Sequence, residues 1–264
     1  MNQEKNSIRD RLWLWCHSPG SHTRSPKQHG LVGRSTITPI EAAGLLGISN
    51  VLMVRYEKEP LGPFLAQAPT LASLKRVVWS LEGGGGEIDD VLELRSTLPN
   101  LFGVILDDYF YHLCSAGTVQ EDGPYSLEAL KKLRCRLDTC QPPLQSWIVL
   151  YAHELAQARQ FLPYLELCDV ITFWTWQAAE VPQLEDRFVE FCQVVGDKRK
   201  MLGIYMWDYG AKQPMPLATL ERQSALALEW LAAGQIEGII FLASCICDLG
   251  LESVEWVRQW IANH

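Results

Sequence analysis

The chain has 264 residues, 48% of them apolar and 20% charged, which suits a large buried core and excludes a disordered chain. Thirty-one acidic and 23 basic residues leave a net charge of -8, a surface that repels phosphate backbones, so nucleic acid is not expected as a partner. Residues 1–10 are polar, without a signal-type apolar run, and no stretch approaches the roughly 18 apolar residues of a membrane span, so no membrane partner is expected either.

Short, nearly continuous apolar runs cover residues 12–16, 51–55, 76–81, 102–106, 146–151, 170–174, 201–206 and 238–242. They are rich in Val, Ile, Leu and aromatics, the pattern of strands covered on both faces in a parallel sheet. Helical stretches fill the gaps. Thr38-Pro39-Ile40-Glu41 is a capping box with proline at the first helical position, opening a helix that ends near Gly47. A short helix is expected over 67–74, and another over 87–98 with Glu87, Asp89 and Asp90 at its positive end. Residues 126–140 carry Leu127, Leu130, Leu133 and Leu137 at helical spacing, and 153–165, 182–195, 216–233 and 253–262 complete eight helices. This alternation predicts an α/β fold: a single (β/α)8 barrel of the TIM type spanning residues 1–264. The alternative, an open doubly wound sheet, usually shows a glycine-rich first turn, and here that turn is His17-Ser18-Pro19-Gly20.

The eight cysteines include no C-x-x-C pair, and several lie in apolar runs, which predicts buried thiols in a reduced, cytoplasmic protein. The basic clusters Lys131, Lys132, Arg134, Arg136 and Lys198, Arg199, Lys200 read as solvated faces. No cofactor and no bound metal are expected, and the oligomeric state is not legible.

Active sites of such barrels lie at the carboxyl ends of the strands. In order, those ends carry Trp15, Cys16 and His17; Arg55, Tyr56 and Glu57; Glu82 before four glycines; Asp107, Asp108 and Tyr109; Tyr151, His153 and Glu154; Trp174, Thr175, Trp176 and Gln177; Trp207, Asp208 and Tyr209; and Ser244 and Cys245. The opposite ends are read as lacking such enrichment. Aromatic rings stack on apolar sugar faces and carboxylates bind hydroxyls and move protons, so a carbohydrate is the expected partner. Trp15, His17, Arg55, Tyr109, His153, Trp174, Trp176, Trp207 and Tyr209 are the candidate substrate-binding residues, and Asp108, Asp107, Asp208 and Glu82 the candidate catalytic ones. His153-Glu154 reads first as the opening of a helix, and Gly83–Gly86 as a loop. Arg55 suits either a structural ion pair or an anionic sugar.

The segment Gly103-Val104-Ile105-Leu106-Asp107-Asp108-Tyr109-Phe110 resembles the TIM-barrel glycoside hydrolase superfamily. Two branches end their fourth strand in Asp-Asp. In the N-acetylhexosaminidases that use the substrate's acetamido group as nucleophile, the resemblance implies that Asp107 orients that group and Asp108 is the general acid. The α-galactosidase type places its acid on strand six, which here ends in Trp-Thr-Trp-Gln without a carboxylate. A third group uses Glu on strands four and seven, where this chain has Asp108 and Asp208. Asp108, on the parity of Val104 and Leu106, is expected to face the pocket, with Asp208 or Glu82 as second carboxylate; their separation would set retention or inversion. The aromatics after Asp108 are not read as a helix start. Two other functions fit the same residues: a divalent-metal isomerase or hydrolase using Glu82, Asp108, His153 and Asp208, and a carbohydrate-binding barrel without chemistry. The loops 17–37 and 109–125 are expected to wall the cleft.

Overall fold

The computed structural model describes residues 8–114 and 122–264. The eight apolar runs become β1 (Leu12–Cys16), β2 (Asn50–Met53), β3 (Arg76–Leu81), β4 (Leu101–Leu106), β5 (Gln145–Tyr151), β6 (Val170–Trp174) and β7 (Arg199–Tyr205); a small antiparallel hairpin of β8 (Trp207–Asp208) and β9 (Gln213–Pro214) precedes the last barrel strand, β10 (Gly238–Leu242). Neighbouring barrel strands pair in parallel, and β1 pairs with both β2 and β10, which closes the barrel. The (β/α)8 fold read from the sequence is therefore the fold observed.

Local chemistry explains the helix boundaries. The Thr38 side chain accepts from the Glu41 amide at 3.3 Å, the Glu41 carboxylate accepts from the Thr38 amide at 2.8 Å, and Gly47 ends the helix Pro39–Leu46 in a left-handed conformation (φ 70°). Ser126 caps the helix Leu127–Asp138. The helices expected over 153–165 and 182–195 both open in a 3-10 turn, the second one turn earlier than expected. A tight 3-10 turn, Ala152–Gln157, precedes Ala158–Leu165, and another, Ala178–Gln183, precedes Leu184–Val195. Glu154 and Glu180 reach back to the amides of Tyr151 and Gln177 and hold these turns. The aromatics after Asp108 do form a short helix, Tyr109–Leu113, against expectation. Packing drives it: Phe110 stacks on Phe161 at 4.1 Å, and both rings are buried.

Aromatic rings fill the barrel interior. Trp13 of β1 meets Trp147 of β5 at 4.9 Å, and Trp15 of β1 meets Trp174 of β6 at 5.1 Å. These strands are not neighbours, so the rings must meet across the lumen. Following the register from these rings places Val78, Ser80, Gly103, Ile105, Tyr151, Trp174 and Tyr205 on the inward parity. The ladder shifts between Val77 and Val78, so Phe102 is the extra residue of a bulge and the inward set on β4 is Gly103 and Ile105. The next residue on that parity is Asp107.

The amino ends of the strands are more charged than the sequence reading held: Asp10, Arg11, Lys75, Arg76, Arg199 and Glu237 surround a cavity there. They precede or begin the strands, where they escape a reading of strand bodies and carboxyl ends alone. All eight cysteines are free thiols. Among the described residues no helix is long and apolar enough to cross a membrane.

A Cβ on Gly203 would lie 2.1 Å from the Trp174 ring, whereas one on Gly44, inside a helix, meets nothing within 4 Å. Gly203→Ala is expected to destabilise by about 1–3 kcal/mol through overpacking. Gly44→Ala is expected to stabilise by about 1 kcal/mol through helix propensity. Urea unfolding of both variants reads the difference, and similar midpoints for the two would contradict the packing described.

Candidate functional site

Asp107 and Asp108 leave β4 in different directions. Asp107 continues the inward parity and sits at the floor of the mouth, near the hydroxyls of Tyr151 and Tyr205. Burial, with the adjacent Asp108 charge second, pushes its carboxyl well above the ordinary aspartate range. Asp108 takes a left-handed backbone (φ 48°, ψ 24°), which swings its side chain over the rim. It occupies the cap position of Tyr109–Leu113 without capping it. Instead, the Tyr151 hydroxyl donates to Asp108 Oδ1 at 2.9 Å, and Tyr205 is hydrogen-bonded to Tyr151. Burial raises both phenols well above their usual range, so they remain neutral donors.

Next to this pair is Glu154. Its Oε2 accepts from the Tyr151 amide at 2.8 Å, and its pKa is raised to about 7, first by burial and then by the Asp108 charge. Asp108, Tyr111, Tyr151, His153, Glu154, Trp176, Gln177 and Glu180 line a cleft of about 510 Å³ over β4, β5 and β6. Tyr151 stacks on His153 at 5.2 Å and meets Trp176 edge-on at 6.1 Å. The cleft therefore combines a carboxyl that is half protonated near neutral pH, a water-exposed carboxylate beside it, and flat aromatic walls.

The other expected residues are placed elsewhere. Asp208 is buried, and its two oxygens accept from the amides of Ala211 at 2.9 Å and Ala178 at 3.2 Å, so it ties the hairpin loop to the turn after β6. Glu82 is exposed at the glycine loop and, like Asp108, acts electrostatically on Tyr125. Trp15 and Trp174 are buried in the lumen. Tyr109 is buried and donates to the Tyr125 carbonyl at 2.8 Å. Arg55 pairs with Glu87, donates to the Lys58 carbonyl at 2.9 Å and covers Phe64, so its structural reading fits and its anionic-sugar reading does not. Trp207 donates to the His29 carbonyl at 2.9 Å, and the Tyr209 hydroxyl bonds His22 Nδ1 at 2.7 Å. His17 is buried, donates from Nδ1 to the Val54 carbonyl at 2.8 Å and accepts from Trp15 at 3.1 Å; burial lowers its pKa to about 4, so it stays neutral. His153 and Trp176 do line the cleft. Residues 115–121 of the loop expected to wall it lie outside the described residues.

The metal set does not assemble: among the described residues no three His, Cys, Asp or Glu side chains are grouped to hold an ion. Of the residues in and beneath the cleft, Tyr111, Tyr205 and Glu180 were missed in the sequence, while Tyr151, Glu154 and Gln177 were noted at strand ends but not among the candidate site residues. Glu154 read first as a helix opener, which it also is.

A glutamate whose pKa is raised on folding stabilises the fold while protonated, and that contribution is lost as pH rises from about 4.5 through about 7. Wild type is therefore expected to lose stability relative to Glu154→Gln between pH 5 and 8. Asp108→Asn is expected to lower the Glu154 midpoint. Urea unfolding across this pH range reads the first and carboxyl-carbon NMR titration the second; an ordinary glutamate midpoint, or one indifferent to Asp108→Asn, would contradict this geometry.

No protein-family model matches the chain, and no match was found among curated proteins. Solved structures do resemble it. A probable 2-pyrone-4,6-dicarboxylic acid hydrolase from Acinetobacter baumannii aligns over 97% of this chain and 93% of its own at 10% identity (TM-score 0.58). An uncharacterised Clostridium thermocellum protein that binds two copies of 5-methyl-5,6,7,8-tetrahydrofolic acid aligns over 96% and 95% at 11% identity (TM-score 0.57). A family 18 chitinase from Crocus vernus aligns over 94% and 99% at 11% identity (TM-score 0.52). At such identities the likeness shows the barrel fold, which these proteins share.

Proposed function

We propose that the protein is a glycoside hydrolase whose chemistry lies in the cleft over β4, β5 and β6. The observation that carries this reading is the pairing of Glu154, with a pKa of about 7, and Asp108 beside aromatic walls. Two neighbouring carboxyl groups in unlike environments divide acid and base work between them. Glu154, protonated for part of the time at neutral pH, donates to the leaving glycosidic oxygen. Asp108, held by Tyr151 and open to water, either takes the proton of the water that attacks the sugar carbon or attacks that carbon itself, water then displacing it from the sugar with its proton passing to Glu154. Asp107, one residue away on the floor with its carboxyl pushed well above the ordinary aspartate range by burial, supports this pair as a hydrogen-bond donor when it carries its proton. Trp176, Tyr111 and the Tyr151–His153 stack offer faces to a sugar ring. Asp208 and Glu82 take supporting roles at the hairpin and at the rim. Since the fold alone hosts many chemistries, the reading rests on this cleft rather than on the barrel. A single-domain, cytoplasmic protein is part of the same proposal.

A panel of aryl glycosides including 2-acetamido sugars tests it, with wild type, Asp108→Asn and Glu154→Gln assayed side by side. Each substitution is expected to lower kcat/KM on the active sugar by about 10²–10⁴-fold. The wild-type profile should fall on the alkaline side near pH 7, and Glu154→Gln should lose that limb. Turnover indifferent to both substitutions would refute the assignment, and saturable sugar binding without turnover would identify a binding barrel instead.

A further inference from the structure

Across the mouth from the cleft, where β1 lies opposite β5, the end of β1 and the loop that follows it pack three histidines into one stack. The His17 and His22 ring centroids are 4.6 Å apart, and those of His22 and His29 4.8 Å. His17 and His22 are buried, and His29 is half-buried. His17 fits only as a neutral ring, since its Nε2 accepts from the Trp15 indole at 3.1 Å while its Nδ1 donates to the Val54 carbonyl at 2.8 Å. His22 Nδ1 bonds the Tyr209 hydroxyl at 2.7 Å, and His29 Nε2 bonds the Tyr56 hydroxyl at 2.9 Å.

The stack fastens the hairpin of β8 and β9. Besides the Tyr209 bond, Trp207 donates to the His29 carbonyl at 2.9 Å and Lys212 Nζ to the Lys27 carbonyl at 3.3 Å. A Cβ on Gly30 would lie 2.5 Å from the Lys212 carbonyl oxygen, so loop and hairpin touch through their backbones. The hairpin in turn backs one wall of the cleft. A Cβ on Gly210 would lie 2.2 Å from Gln177 Cγ and 2.8 Å from the Trp176 ring, and both of those residues line the cleft.

Little around the stack compensates a charge on it. Glu57, after β2, favours a proton on His29, and Lys212 of the hairpin opposes it. Towards His17 and His22 the titratable neighbours are the other histidines, the Tyr56 and Tyr209 phenols, and the Cys245 thiol, which accepts from the His22 amide. Cys247 and Asp248 stand behind that thiol, with Asp248 taken by the amides of Thr36 and Ile37. Arg24 of the same loop is turned to Glu59. Burial therefore lowers all three imidazoles, His17 to about 4. A ring freed into water regains its ordinary value of 6.5, so the released state takes up protons first. The packed stack is fully held above about pH 6.5 and weakens as pH falls towards about 4.

We propose that His17, His22 and His29 form a proton-operated lock: as a neutral stack they hold the β8–β9 hairpin against Trp176 and Gln177, and on taking up protons they release it and loosen that wall of the cleft. The lock acts on the shape of the cleft and touches no reacting atom. Its effect on turnover rests on the glycoside hydrolase reading, whereas its effect on the hairpin does not.

Hydrogen exchange of the full chain at pH 7.5 and pH 5, corrected for intrinsic rates and read by peptide mass spectrometry, tests the proposal. One imidazole held at about 4 and freed to 6.5 shifts the equilibrium about 30-fold by pH 5. Protection of residues 17–30 and 207–215 is therefore expected to fall at least about tenfold, with β4 and β5 unchanged. The double substitution His22→Gln, His29→Gln keeps hydrogen-bonding groups but removes two proton acceptors, and it should diminish that fall. Should this variant fail to fold, histidine NMR titration of the wild type decides: His17 and His22 midpoints well below 6.5 are expected, and ordinary midpoints for both would overturn the lock. Unchanged protection of 207–215, equal loss of protection in β4 and β5, or a fall undiminished in the double variant would each overturn it as well. On an aryl glycoside that is turned over, KM should rise in acid more for wild type than for the double variant. Absence of turnover on every glycoside would count against the hydrolase reading alone, and the exchange result would still decide the lock.

Discussion

Inside the barrel the Trp174 ring lies against the backbone of Gly203, in the space that any side chain there would fill. That contact lets Trp174 reach Trp15 on one side and Tyr205 on the other, at 5.1 and 5.2 Å. The lumen is thereby closed by indole and phenol rings directly beneath the mouth. Tyr205 and Tyr151 form the upper surface of this layer; the Tyr151 hydroxyl donates to the Asp108 carboxylate, and the Asp107 charge acts on both phenols. The polar floor of the cleft thus takes its position from apolar packing below it, as a dense interior transmits position.

Glu154 couples the fold to the proposed chemistry in another way. Its carboxylate holds the first turn after β5 by accepting from the Tyr151 amide, and the same bond fixes it in partly buried surroundings beside Asp108. Two charges this close in a poorly solvated place do not both ionise freely, so one retains its proton to higher pH. In the proposed mechanism the division of roles between acid and base follows from which of the two carboxyls, Glu154 or Asp108, is buried. Asp208 presents the contrast: two amide donors saturate its oxygens and assign it to the backbone.

The barrel was legible because each strand is a compact apolar run and some helices carry a start or stop signal, as Thr38, Glu41, Gly47 and Ser126 do. β1, β3, β6 and β10 have the limits that their apolar runs suggested, and the remaining strands differ by one or two residues at an end. The site was legible in part. The Asp107-Asp108 pair and the residues Trp176 and His153 could be found because the carboxyl ends of the strands were known to matter. Which aspartate faces inward was not legible, because the bulge at Val77–Val78 sets the parity of β4 through a pairing that its own sequence does not record. Glu154 was obscured by a second duty that its position in a helix-opening turn explains completely. Trp15, Trp174 and Tyr109 show the converse. They are aromatics at strand ends that the lumen and the neighbouring helices consume, since composition alone does not separate a ring that lines a cleft from one that closes a core.

The central claim of the proposal is that the reacting carboxyls are Asp108 and Glu154, over β4, β5 and β6. Carbodiimide labelling at pH 6.5, mapped by peptide mass spectrometry with and without a bound glycoside, tests it most directly. The account predicts modification of Asp108 and Glu154 that the ligand suppresses, with Asp208 left unmodified behind its amide donors. Ligand-dependent protection at Asp208 or Glu82, with Asp108 and Glu154 indifferent to the ligand, would contradict it.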